Sequence, residues 1–534
     1  MENVYYIQVL VPLRLEWIPV YKCAEPLAPG ARVEVMFARR RYSGVVYCSG
    51  AEPGMDPSRI QDILDVQTSL PTVSQEELRF WEFLSSYYLC TLGEVFRAAY
   101  PLGKVRSEQK AASILERLRQ RLAVRQESLS RKHKDNVRER LENEVRDIEA
   151  QITALTRVPD RNPSKADPGK PLLLSGGGRT EEYIKYCRQV VDSGLNVLIL
   201  IPEIAAGEQL LSVFEQTFPG QVHCVNSRLT EVRRRRIADD IRNYGGQIVI
   251  GTRSSLFLPF SRLGLIIVEN EHDALFKQTE PAPRYNARDA AVVLGRIHAA
   301  RVVLGSPFPS LESLYNTQCG KYSIMRTGVP AASPGLVDIN SERRKRGMIG
   351  RISRKLLEAA SKTEGPVALV RGWEKADELL EEVKSLFPER QVDIYTVQQA
   401  ALADLRLYSL VAVLQADALF PEGDFRADER ALQALAAMGE QCSGVFLVQT
   451  AKADHPVFSS PEGITERLLE ERKRFGLPPY TRLIDTDFGG HKERLTLASD
   501  NTLTARKMEL KQRALAFEKK TGGRAKVIID VDPI

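Results

Sequence analysis

PLLLSGGGRTEEYIKYCRQVVDSGLNVLILIP, residues Pro171 to Pro202, puts a short apolar run, a triple glycine, an amphipathic stretch and a second apolar run in one line. Both apolar runs are too short for helices and are bounded by glycine or proline, which suits strands covered on both faces. The text between them has helical spacing, so the whole reads as one βαβ unit. Moving outward, QIVIG (Gln247–Gly251), LGLIIVE (Leu263–Glu269) and ARVVLG (Ala300–Gly305) repeat the strand signal with helical text between. Alternation of this kind predicts a parallel sheet, with ligands at the carboxyl ends of its strands.

A second α/β stretch runs from about Ile352 to Thr450, with PVALV, QVDIY, LVAVLQAD and GVFLVQT as strands. Ahead of both, VYYIQVLV, ARVEVMF and RRRYSGVVY predict a small β-rich domain, followed by helical text from Gln75. Between Arg106 and Leu155, leucines 115, 118, 122 and 129, and then Val137, Leu141, Val145, Ile148, Ile152 and Leu155, predict a hairpin of two amphipathic helices. A packing arm is the economical reading of that hairpin, and a DNA-gripping one the alternative. RVPDRNPSKADPGK reads as a linker, and the chain closes with a small mixed α/β module in which TRLIDTDF is a strand, followed by a helix and then VIIDVD. The expected divisions are 1–103, 104–168, 169–330, 331–458 and 459–534.

With 534 residues, three or four domains are expected, and 43% apolar with 27% charged residues excludes wholesale disorder and fibrous repeats. No apolar run nears the ~20 residues of a membrane span, and the start lacks a signal peptide's pattern, so a cytoplasmic protein is expected. Seven scattered cysteines without a C-x-x-C pair, and six isolated histidines, give no metal site. The net charge is only +6, but basic residues cluster at 39–41, 131–134, 233–236 and 343–346. Clustered cations suit a polyanion, which makes nucleic acid the leading partner class.

The strand ends carry more. Ser175-Gly176-Gly177-Gly178-Arg179-Thr180 stands where a P-loop needs G-x-x-x-x-G-K-[ST], with Leu173 in the first glycine's place and Arg179 in the lysine's. Then come IPEIAAGEQL, GTRSSLFLPF, LGLIIVENEHDALFKQTEPAPRYNARD and VVLGSPFPSLESLYN. In that order these segments resemble the helicase lobe of the primosomal protein N prime (PriA) family, bacterial replication-restart helicases of superfamily 2. LSSYYLCTLGEVFRAAYPLG, LQADALFPEGDFRADERALQ, FLVQTAKADHPVF and ERLLEERKRFGLPPYTRLI extend the resemblance to about three quarters of the chain. The segment 106–155 falls where that family has a winged helix and does not resemble one. The resemblance implies two RecA-like lobes, a DNA-binding domain before them, and ATP and Mg²⁺ as cofactors.

The implied chemistry is degraded at several places. The family's D-E-E-H box reads Glu269-Asn270-Glu271-His272, leaving Glu269 and Glu271 as catalytic remnants; an amide at 270 cannot take a proton, which removes a general-base factor of ~10²–10⁴. The motif like G-[ST]-A-T-P-S has become Gly305-Ser306-Pro307-Phe308-Pro309-Ser310. The stretch that should hold an arginine finger, Leu435 to Gly444, contains Glu440 and Gln441 but no arginine, and such a finger supplies ~10³–10⁵ in rate. The family's zinc module is missing, so no zinc is expected. Gly178, Arg179 and Thr180 leave open the binding of a nucleotide without its hydrolysis.

For DNA, the resemblance carries over Thr252, Arg253, Arg284, Tyr285 and Arg288, with an aromatic ring between arginines suited to stacking and phosphate contact. The alternative is that these arginines pair with Asp289 and Glu271. Near the start, Tyr21 in Pro19-Val20-Tyr21 and Arg39, Arg40 and Arg41 match the family's 3′-end-gripping elements. The expected function is a DNA-binding relative of the family at branched or single-stranded DNA, acting in replication restart with other primosome or single-strand-binding proteins, its motor lost. A working ATP-dependent 3′ to 5′ helicase, and a scaffold without DNA affinity, are the two alternatives.

Overall fold

The computed structural model describes residues 4–100, 111–130 and 168–534, apart from 55, 69, 227, 329–331, 374 and 460–462, together with 138, 141, 142, 144 and 145. The second arm helix, apart from those last positions, and the linker up to 167 lie outside the described residues. Of the arm, Ala111–Leu129 is helical, and Arg125 Nε sits 3.0 Å from Glu144 Oε2.

The N-terminal domain is a five-stranded antiparallel sheet in the order Val20–Cys23, Tyr5–Leu10, Arg40–Ser49, Arg32–Phe37, Asp65–Val66. Its central hairpin pairs Phe37 with Arg40, so Ala38 and Arg39 alone make the turn, at φ 49° and 65°. Two residues with positive φ define a tight hairpin turn whose twist matches the strands. The helices that follow, Gln75–Tyr87 and Leu92–Ala99, each begin with a capping box, Ser74 with Glu77 and Thr91 with Glu94. Such reciprocal caps pair two helix-end donors that would otherwise be left open. Trp81 stacks on Phe96 at 5.6 Å, and Phe80 meets Phe257 at 6.0 Å.

Two parallel sheets follow. The first runs Ser323–Arg326, Leu172–Ser175, Arg301–Ser306, Leu263–Glu269, Asn196–Leu200, Ile248–Gly251, Val222–Val225. The second runs Gly335–Asp338, Val445–Thr450, Leu410–Val413, Val367–Arg371, Val392–Thr396. Strands such as 197–200, 265–268 and 367–370 are fully buried, as parallel strands with helices on both faces must be. These are two RecA-like lobes. The C-terminal part is a three-stranded antiparallel sheet, His491–Ala498, Thr481–Phe488, Val527–Val531, under the helix Leu503–Lys520. Strand 491–498 differs from the sequence reading, which had a helix directly after TRLIDTDF.

The N-terminal helices and the C-terminal sheet share one core with the first lobe, joining Phe80, Leu84, Leu198, Phe257, Ile484 and Val531. Lys277, with no exposed side chain, ties the same region together through Asp530 Oδ1 (2.6 Å) and the carbonyl of Val531 (2.6 Å). The first lobe therefore stands at the centre, and its strand ends face the second lobe. Among the described residues no helix is long and apolar enough to cross a membrane.

Candidate nucleotide cleft and nucleic-acid surfaces

The loop after strand 172–175 turns into its helix on glycines with positive φ. Gly176 sits at φ +105°, where an added Cβ would lie 2.5 Å from Thr327 Oγ1, and Gly178 at φ 71° caps the helix Arg179–Asp192. What fills the loop is protein. The Arg179 side chain is 4% exposed; its Nη2 lies 2.5 Å from Glu269 Oε1, its Nε 3.3 Å from Glu269 Oε2, and its Nη1 2.5 Å from the carbonyl of Gly176. Nη1 also reaches Glu440 Oε2 at 2.9 Å and Oε1 at 3.1 Å. The backbone N–H of Gly178 donates to the same Glu440 carboxylate. Tyr183 donates a short hydrogen bond to Glu269 Oε2.

Glu269 stands at the end of strand 263–269 and Glu440 on the second-lobe helix Ala427–Gln441, so the cluster is built from both lobes. Burial alone would push the Glu269 carboxyl up, but the Arg179 guanidinium outweighs it and holds the group below its ordinary range. For Glu440 burial prevails, and its carboxyl is pushed up despite the same arginine. The difference follows from sharing: Glu269 has the fork-on-fork contact and the tyrosine, whereas Glu440 faces one nitrogen and a nearby second carboxylate.

Glu271 is 2% exposed and engaged on both oxygens. Oε1 accepts from the Ser310 backbone (2.7 Å), and Oε2 from the hydroxyls of Ser310 (3.0 Å) and Ser313 (2.9 Å) and from Arg288 Nη1 (3.3 Å). It therefore anchors the start of helix Leu311–Gln318, and neither oxygen faces the phosphate loop. Asn270 between the two acids adopts φ 53°, and His272 Nδ1 lies 2.7 Å from Ser306 Oγ. Burial, and then the charge of Arg179, push His272 down to about 4, so it is neutral near pH 7.

The cavity beside Arg179, about 600 Å³, is lined by Glu203, Glu208, Glu269, Asp404 and Glu440 against the single cation Arg179. Five carboxylates and one fully paired guanidinium do not fit a triphosphate with its magnesium, and Thr180 does not change that balance. Gly178, Arg179 and Glu269 are thus brought together, with Tyr183 and Glu440, which the sequence reading did not assign to the site. An acid at 440, in the stretch where the resemblance implies arginines, opposite a cation kept at 179, was the available signal.

The residues expected at DNA divide sharply. Arg39 on the hairpin turn and Arg40 and Arg41 at the start of the following strand are exposed, with Arg41 Nη1 3.9 Å from Glu34 Oε1. Tyr21 is 3% exposed and its hydroxyl donates to the carbonyl of Met36 at 3.0 Å, so it is a core residue rather than a grip. Tyr285 is 1% exposed, edge-on to Phe257 at 5.4 Å, with its hydroxyl donating to the Arg253 carbonyl at 3.1 Å. The exposed ring expected between two arginines is corrected to a packed one. Arg288 follows the ion-pair alternative, with Nε 2.8 Å from Asp289 and Nη1 bonded to Glu271. Arg253 donates to the Leu275 carbonyl at 2.7 Å, and Arg284 is partly buried, 3.8 Å from Glu280. Both nevertheless keep some solvent exposure.

The architecture and the site define a class: a two-lobed helicase fold with a β-rich domain in front. Residues 8–101 match the 3′ DNA-binding domain (3′BD) of PriA. Replication restart protein PriA of Rickettsia prowazekii is 31% identical over 55% of this chain and 41% of its own length, and that of Chlamydia pneumoniae 40% identical over 32% and 24%. With the Rickettsia conorii protein the match is 24% identical over 90% of this chain and 87% of that one. The chain is therefore similar to PriA proteins along most of its length, although the matches to the first two relatives span less than half of theirs. A structure of RecG bound to a three-way DNA junction is 14% identical with a TM-score of 0.38, covering 82% of this chain and 56% of that one.

Proposed function

We propose that this chain is a DNA-binding replication-restart factor of the PriA family that works without hydrolysing ATP. The carrying observation is the state of Glu269: both oxygens are committed to Arg179 and Tyr183, in the place where the family's metal-anchoring carboxylate stands. A group so engaged cannot hold Mg²⁺, and Asn270 cannot polarise an attacking water. The name of the PriA relatives supports replication restart, and the 3′ DNA-binding domain with Arg39, Arg40 and Arg41 exposed at its central hairpin supports branched or single-stranded DNA as the partner. Proteins that meet at such forks, including primosome and single-strand-binding proteins, are the natural co-residents of that role.

One experiment decides between this and a working helicase. Purified protein is given forked DNA and radiolabelled ATP while binding is followed by anisotropy through a salt titration. Salt-sensitive binding with turnover indistinguishable from the no-protein control is expected. Sustained DNA-stimulated turnover, lost on Arg179→Ala, would overturn the proposal, and salt-insensitive or absent binding would favour a scaffold without DNA affinity.

A further inference from the structure

Superfamily helicases close their lobes on nucleotide because phosphates bridge donors from both sides. Here the bridge is supplied by the chain. The geometry points to Glu440 as a built-in substitute for that bridging anion, holding the two lobes in the closed arrangement without any ligand. Its carboxylate arrives from the second lobe, accepts the Gly178 N–H at the helix start, and spans both oxygens to Arg179 Nη1 at 2.9 and 3.1 Å. A glycine amide at a helix N-terminus and an adjacent cation are the two donors that a terminal phosphate would use in this fold. Both are satisfied internally.

The closure has a second point of attachment. Glu429 on the same helix as Glu440 accepts the Leu311 N–H at 2.9 Å, and Arg426 Nη1 reaches Glu312 Oε1 at 2.8 Å, across the neighbouring cavity of about 480 Å³. Arg472 then pins Glu429 at 2.7 Å. With helix 311–318 fastened this way, removal of the Glu440 carboxylate leaves an anchored edge about which the cleft can open. The chemistry of the bridge also sets which changes matter. Glutamine at 440 keeps an acceptor oxygen for Gly178 and Arg179; alanine removes it; lysine brings a like charge against Arg179.

This extends the ATP-independent reading but is tested apart from it. Spin labels are carried as non-canonical amino acids at Asp192 and Glu389, both exposed and one in each lobe, and the distance between them is measured by pulsed electron resonance on the full chain. We expect one narrow distribution for the wild type, unmoved by ATP with Mg²⁺ and retained by Glu440→Gln. Glu440→Ala and Glu440→Lys should shift it to longer and broader distances. A broad wild-type distribution, a tightening by ATP, or an Ala variant that matches the wild type would overturn the inference. The wild-type measurement with and without ATP is decisive even if a variant fails to fold. ATP turnover would defeat the proposed function on its own, whereas an open, ATP-inert wild type would defeat only this inference.

Discussion

Arg179→Ala is the perturbation on which the structure speaks most directly. The guanidinium is 4% exposed, while Glu269 and Glu440, its two partners, have side chains 18% and 15% exposed. Truncation leaves two carboxylates facing each other in a cavity with no replacing cation. Breaking a buried ion pair by removing one member costs about 3–5 kcal/mol. At ~2–4 °C of melting temperature per kcal/mol for a domain of this size, the transition that includes the first lobe should fall by roughly 6–20 °C. Arg179→Lys should fall between the two, because an ammonium lacks the fork that reaches both acids at once. The assay is differential scanning calorimetry with each variant, run with and without ATP and Mg²⁺. A ligand present at about 100 times its dissociation constant would stabilise by ~2.7 kcal/mol, so an unmoved wild-type transition is expected. An Ala variant melting within a degree or two of the wild type, or a wild type raised by ATP, would refute the reasoning: the first because Arg179 would not be bearing those charges, the second because the cleft would be admitting nucleotide.

Acid should act through two groups in two windows. His272 titrates at about 4 in the fold against an ordinary 6.5, so the unfolded chain binds the extra proton as pH falls from 6.5 towards 4; up to about 3 kcal/mol is lost there, and His272→Asn should flatten that part of a stability-against-pH curve from urea melts. Glu269 has the opposite displacement for an acid: its contribution is complete above the ordinary glutamate value and disappears only as pH drops below it, a loss that Glu269→Gln should abolish. Gly305→Ala would place a Cβ 1.6 Å from the Tyr183 hydroxyl, so it should melt far below the wild type, and Tyr183→Phe in the same chain should recover part of the difference; equal melting with and without the tyrosine hydroxyl would mean the clash is elsewhere. Replacing Arg39, Arg40 and Arg41 together by alanine should leave melting unchanged while weakening fork-DNA binding and reducing the salt slope by ~0.7–0.9 for each phosphate no longer neutralised; an unchanged slope would remove this turn from the DNA surface.

The strand runs of both lobes were legible because parallel strands buried on two faces must be short, apolar and punctuated, as Leu172–Leu174 and Ile266–Val268 are. Strand His491–Ala498 was not, since HKERLTLA has one face open to solvent and charges throughout; Gly489-Gly490, at φ 65° and 100°, was the hairpin signal that could have revealed it. At the site, the loss of the phosphate-loop lysine and the acidic pair could be read residue by residue. Which arginines were free could not. Arg288 and Arg39 look alike in a sequence, but Arg288 lies where Glu271 and Asp289 converge and Arg39 lies exposed on a turn. Tyr285 misled for a related reason: arginine-aromatic text suits a base-stacking platform and a tertiary knot equally well, and the carbonyls it must satisfy lie far away along the chain.

Loss of a reaction and loss of a site leave different physical traces. A catalytic centre that merely decayed would leave donors and charges from the old function buried without partners, each costing about 1–3 kcal/mol or more. Around this cleft the reverse holds. Arg179 faces Glu269 and Glu440, Gly178 gives its N–H to Glu440, Glu271 caps Ser310, and the hydroxyl of Tyr183 joins Arg179 Nε on Glu269 Oε2. The acid at 440 needs its partner, because a carboxylate placed there without Arg179 would be a buried charge left uncompensated. Because Arg179 and Glu440 stand on helices of different lobes, this compensation exists only where the lobes meet. A cleft whose charges are met by the chain's own groups in this way is what the proposed ATP-independent role requires, since the two lobes are then joined with no ligand between them.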